Sequence, residues 1–213
     1  AVVVSLVHMS KGAIKLKPRL NRRDQDQISA FLMPGDAHES PQKLKSNAGK
    51  SYVGSYVLGM GFTFADNKDT TPYNQLGDRA INTPSPIADM HKLIETNSKN
   101  KERISPYIGG SELNSHPEHK PHRFTINFGQ MTLDEADHWP ELIDIVKRKV
   151  KPQRDALKDN TDGKKYKKYW WRYGRSALAL YRAIEGMDRV LAISRVSTHL
   201  ACAFVTERIV FSE

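Results

Sequence analysis

The sequence predicts a mixed α+β fold, with antiparallel β-hairpins and interspersed helices. Runs rich in β-branched and aromatic residues, bounded by turn residues, occur within the first 64 positions and return after residue 188. Between them lie segments whose apolar residues recur at helical spacing. No internal repeat is present.

The elements follow in order. AVVVSLVHM and IKLKPRL flank a Ser10-Lys11-Gly12 turn, which reads as a hairpin. Gln27–Met33 fits either a strand or a helix, and 34–50 has the Gly, Pro, Ser and Asn content of a loop. Ser51–Phe64 favours strands, with Gly54, Gly59 and Gly61 marking bends or bulges. After a loop over 65–85, Ser85 and Pro86 suit the N-cap and first position of a helix. Ile87, Met90, Leu93 and Ile94 carry that helix to about Asn97.

Ser105–Asn114 punctuates the chain, and Arg123–Phe128 alternates like a half-buried strand. Thr132 and Glu135 have capping-box spacing. A helix is expected from about Pro140 to Leu157, with Leu142, Val146, Val150 and Leu157 on one face. Lys147, Lys151, Arg154 and Lys158 follow at spacings that place them on a common face, unless Pro152 kinks or interrupts the helix. A further helix is expected over Ser176–Ile184. Arg189–Val205 then reads as two strands joined near Ser197–His199, and Arg208–Phe211 as a closing strand.

The 213 residues suit one large domain, and we read 1–213 as a single unit. Both ends read as cut from a longer chain, because Ala1 opens directly into a strand-like run and the chain stops just after another. No apolar run approaches the roughly 20 residues of a membrane helix, and AVVVSLV lacks the flanks of a signal peptide. A single cysteine, Cys202, excludes an internal disulfide and a Cys-based zinc site, so a cytoplasmic protein is expected. Its apolar neighbours suggest that Cys202 packs in the core.

The formal net charge is +9, and its placement is informative. Lys147–Arg175 holds twelve basic residues against three acidic ones, Asp155, Asp159 and Asp162, which is the whole net charge. The rest of the chain balances at 21 basic and 21 acidic residues. Such a concentration is the electrostatic footprint of a polyanion-binding surface. Within it, KKYKKYWWRYGR (Lys164–Arg175) interleaves lysines with Tyr166, Tyr169, Trp170, Trp171 and Tyr173. Lysines neutralise phosphates, and the aromatics either pack against sugars and bases or anchor the segment in the core. In the Arg195–His199 turn, Arg suits guanine, and Ser, Thr and His are adaptable partners.

Catalytic patterns are missing. No Gly-rich phosphate loop or nucleophile elbow occurs. His116, His119 and His122 form an H-x-x-H-x-x-H string, but Pro117 and Pro121 interrupt it, so it reads as a polar loop and not a metal site. Asp134, Glu135 and Asp137 suit a helix first turn.

Several segments recur together in one family: AVVVSLVHMSKG, GSYVLGMGFTF, SPYIGGSELN with HRFTINFG, WPELIDIVKRKVKPQR, YWWRYGR and RVLAISRVSTHLACAFV. On these the chain resembles, over nearly its whole length, the target-recognition region of large single-chain bacterial restriction–modification DNA methyltransferases. The resemblance implies an upstream domain that binds S-adenosylmethionine and methylates adenine through an Asn/Asp-Pro-Pro-Tyr/Phe loop; some members also carry a nuclease. That loop is absent here, so the fragment is expected to be non-catalytic, to hold no cofactor or metal, and to partner double-stranded DNA and the upstream methyltransferase domain. Residues 1–20 are the expected edge of that domain.

The leading expectation is therefore a sequence-specific duplex-DNA recognition domain. Lys147, Lys151, Arg154, Lys158, Lys164, Lys165, Lys167 and Lys168 would grip phosphates. Arg172, Arg195, Ser197, Thr198 and His199 would contact bases or the groove. The alternatives are a free-standing RNA-binding protein, which the Lys/aromatic run would serve equally, and a small hydrolase built on the acid and histidine clusters.

Overall fold

The computed structural model describes residues 12, 16–29, 31–35, 45–66, 83–198, 202–206 and 208–213. The hairpin expected about Ser10-Lys11-Gly12 falls almost wholly outside them, as do His199 and most of the 65–85 loop. The chain divides into two compact units, Ala1–Lys50 and Ser51–Glu213.

In the first unit, β1 (Arg19–Leu20) and β2 (Arg23–Asp24) pair antiparallel. Asn21 and Arg22 between them have φ of 52° and 66°, the left-handed pair of a two-residue hairpin turn. The described residues of Gln27–Met33 form neither strand nor helix beyond a single bridge at Ile28, and Ser29 N–H donates to Met33 O at 2.9 Å.

The second unit carries a four-stranded sheet. In chain order it contains β3 (Thr63–Phe64), α1 (Ile87–Thr96), β4 (Ile104–Ile108), α2 (Gly110–Ser115) and β5 (Arg123–Ile126). Then follow α3 (Leu133–Ala136), α4 (Pro140–Lys149), α5 (Lys151–Asp155), α6 (Thr161–Lys168) and α7 (Leu178–Ile184). The chain closes through β6 (Val190–Ile193), β7 (Cys202–Val205) and β8 (Val210–Phe211). The sheet order is β3-β5-β4-β8, antiparallel except for the parallel β4–β8 pair, and β6–β7 forms a separate antiparallel hairpin. The fold is thus mixed α+β, with hairpins and interspersed helices.

Two apolar clusters hold it. The larger joins Phe62, Phe64, Ile126 and Phe128 to Leu142, Val146 and Val150 of the α4 face and to Trp170, Trp171 and Tyr173. The smaller joins Ile108, Ile184, Val205, Ile209 and Phe211. The long helix expected from Pro140 is broken at Val150, because Pro152 lacks a donor and its ring crowds the preceding turn. The 3-10 turn Met60–Phe62 abuts the end of α4 so closely that a Cβ on Gly61 would lie 2.6 Å from Lys149 Cβ. The Ser51–Phe64 run makes one short strand, and its remaining ladder contacts are single bridges at Ser55 and Tyr56.

Thr132 caps α3 as its spacing predicts: Glu135 N–H donates to Thr132 Oγ1, and Thr132 N–H to Glu135 Oε2. Ser85 does not cap α1. It is buried, its backbone bonds to Thr63 and Ala65, and Pro86 takes the N-cap position. Cys202 is a correction: it is exposed, because strand alternation points Ala203 and Val205 inward and Cys202 and Phe204 outward.

Candidate nucleic-acid interface

The basic stretch folds around α6, a helix the sequence reading missed although its start is written in Asn160, whose Oδ1 accepts from Gly163 N–H at 2.8 Å. Gly163 is required there, since a Cβ would lie 1.8 Å from Lys158 O. Lys164, Lys165 and Lys168 are exposed on this helix, and Lys147 and Lys158 are exposed before it. None of these five has an acidic partner among the described residues. Lys151 is committed to Asp155 at 2.6 Å, and half-buried Lys167 is paired with Asp159.

Arg154 corrects the expected cationic face. It is 2% exposed and donates from Nη2 to Val57 O, Leu58 O and Arg172 O at 2.9–3.4 Å. Its guanidinium lies 5.3 Å from the Tyr166 ring centre. It stands four residues after buried Val150, to whose carbonyl its N–H donates at 3.2 Å, and the fold encloses its guanidinium instead of presenting it to solvent. Burial lowers its pKa to about 10, which leaves it charged at neutral pH. Lys149 is likewise drawn inward, to Thr83 O, Pro84 O and Ser85 Oγ, and burial lowers its pKa.

Both tryptophans of the basic stretch are core residues. Trp170 and Trp171 are buried, Trp171 Nε1 donates to Met131 O at 2.9 Å, and buried Tyr173 shares a 2.9 Å hydroxyl bond with Thr125. Tyr166 and Tyr169 remain half-buried, and they line an open cleft of about 810 Å³ together with Lys165, Arg172 and Arg175. Among the described residues, no carboxylate lines it. Arg172 is half-engaged: its Nε donates to Met131 O at 2.8 Å, and its guanidinium sits 4.6 Å over the Tyr169 ring.

The second candidate region is the turn after β6. Arg195, Ser197 and Thr198 are exposed there. The turn is held from below by α2: Asn114 Nδ2 donates to Val196 O at 2.8 Å and to Ser194 Oγ at 3.2 Å. Gly110 permits this approach, since a Cβ would lie 3.1 Å from Ser194 Oγ. Arg195 Nη1 donates to Glu213 Oε1 at 2.7 Å, and the other Glu213 oxygen pairs with Arg175.

The α2 segment is itself anchored by residues to which sequence reading gave no role. Glu112 is fully buried and takes Arg123 Nε and Nη2 at 2.6 and 2.8 Å, with Gly109 N–H on Oε2 at 2.8 Å. Burial works to raise the Glu112 pKa, but the Arg123 hydrogen bonds and charge outweigh it and hold the carboxyl below its ordinary value. The Tyr107 ring lies 4.9 Å below Arg123. His122 Nε2 stands 3.5 Å from Glu112 Oε1, and the His116 and His122 rings stack at 6.4 Å.

No protein-family model matches this chain, and no curated protein matches it. Among solved structures, the Type IIL restriction-modification enzyme MmeI in complex with DNA matches with a TM-score of 0.57. The match has 11% identity and covers 89% of this chain but 22% of the enzyme. What the two share is the fold, and this chain spans about a fifth of that enzyme's length. Among the described residues, no helix is long and apolar enough to cross a membrane.

Proposed function

We propose that this chain is the duplex-DNA recognition part of a restriction–modification adenine methyltransferase. The observation that carries the reading is the set of exposed, acid-free lysines, Lys147, Lys158, Lys164, Lys165 and Lys168. The fold held in common with part of an enzyme solved on DNA supports it. In this reading the lysines neutralise phosphates and set register, while Arg195, Ser197 and Thr198 reach base edges. The chemistry belongs to an S-adenosylmethionine-binding domain elsewhere in the parent chain, since this sequence holds neither an Asn/Asp-Pro-Pro-Tyr/Phe loop nor a Gly-rich loop.

The test is fluorescence-anisotropy titration of a mixed-sequence duplex at several salt concentrations, with an equal-length RNA duplex as competitor. Binding should weaken steeply with salt. Replacing Lys164 or Lys165 by Ala should weaken binding to all sequences alike and reduce the salt slope by about one each. Preferential capture by RNA would move the reading to an RNA-binding protein, and no binding at low salt would make the lysines a solvated surface.

A further inference from the structure

The Glu213 carboxylate stands where the two candidate DNA-contacting segments meet. One of its oxygens takes Arg195 from the turn after β6, and the other takes Arg175 from the end of the basic stretch. Backbone bonds fix its position: Glu213 N–H donates to Ser55 O at 3.0 Å, and Ser212 N–H to Ile108 O at 2.8 Å. The same turn is tied to α2 through Asn114. The backbone around Arg195 is thus pinned by one element and its side chain by another.

We propose that Glu213 is a positioning residue for sequence readout, holding the Arg195 guanidinium in the orientation in which it meets a base pair. The inference rests on the recognition-domain reading above. An exposed arginine that must find one rotamer on binding loses side-chain entropy as it does so, and a prior ion pair removes part of that cost. Arginine suits the arrangement because its fork holds five N–H donors, so one can be committed to Glu213 while others face a ligand. Glu213 also places a negative charge beside two arginines, which opposes indiscriminate phosphate binding at this spot.

The experiment uses the intact parent chain and the duplex that it selects from a randomised pool. Dissociation constants are measured for that duplex and a scrambled one, with melting temperature as a control on folding. Glu213→Gln should cut the ratio of the two constants about tenfold, while affinity for the scrambled duplex rises because a repelling charge is gone. Glu213→Asp, which keeps the charge, should restore part of the ratio. An unchanged ratio in Glu213→Gln, with Arg195→Ala still lowering it, overturns the positioning role and leaves the recognition reading intact. Equal loss on both duplexes with a lower melting temperature also overturns it, because Glu213 would then be structural. A wild-type chain that selects no duplex, or an Arg195→Ala variant with full discrimination, overturns the assignment of base readout to Arg195 and the positioning role with it.

Discussion

Arg154 shows how far a side chain's role depends on what surrounds it. In the sequence it stands among lysines at helical spacing; in the fold it is a buried cross-link between the Val57–Leu58 segment and Arg172. Three carbonyls and the Phe62 and Tyr166 rings surround it, with no carboxylate among its hydrogen-bond partners in the described residues. Arg154→Met fills similar space but leaves those carbonyls without their donor. The variant should lose about 2–4 kcal/mol of unfolding free energy, measured by denaturant titration, and keep the wild-type salt slope of duplex binding. A reduced slope at unchanged stability would return Arg154 to the phosphate-gripping set. Arg195, by contrast, is exposed, and among the described residues its ion-pair partner is Glu213.

At the scale of elements, α2 joins the sheet to the turn after β6. The Glu112–Arg123 pair locks α2 against β5, and Asn114 carries that rigidity to Ser194 and Val196. The pair should leave a pH signature. A carboxyl whose folded pKa is depressed contributes stability that is fully present above its unfolded value near 4.5 and is lost as pH falls through the folded pKa. The stability gap between wild type and Glu112→Gln should therefore be widest above about pH 4.5 and narrow towards pH 3. Thermal melts of both proteins across that window check it, and a constant gap would show that the Glu112 charge contributes nothing. The sequence showed a strand over Arg123–Phe128, found at Arg123–Ile126, the hairpin of β6 and β7, and the interruption at Pro152, because each is encoded by local periodicity or ring geometry. It hid α2 and α6, which are short and polar and draw their stability from caps and tertiary contacts.

For the whole molecule, the relevant unit is Ser51–Glu213, which contains both apolar clusters, all five acid-free lysines, the Asn114 contacts to Ser194 and Val196 and the Arg195–Glu213 pair. A chain beginning at Ser51 should therefore unfold cooperatively and bind duplex with the full-length salt slope; a shallower slope would place phosphate contacts within the first 50 residues. The sequence by itself determined the α+β class, the location of the net charge between Lys147 and Arg175, and the strand-turn-strand that carries Arg195. These are properties of composition and local spacing, which the chain carries whether folded or not. Only the tertiary structure decided which cations face solvent and which arginines are buried, and it brought Glu213 to Arg195 from 18 residues away. Those outcomes depend on contacts between segments distant in sequence, and burial sets the cost of a charge only once the neighbours are in place.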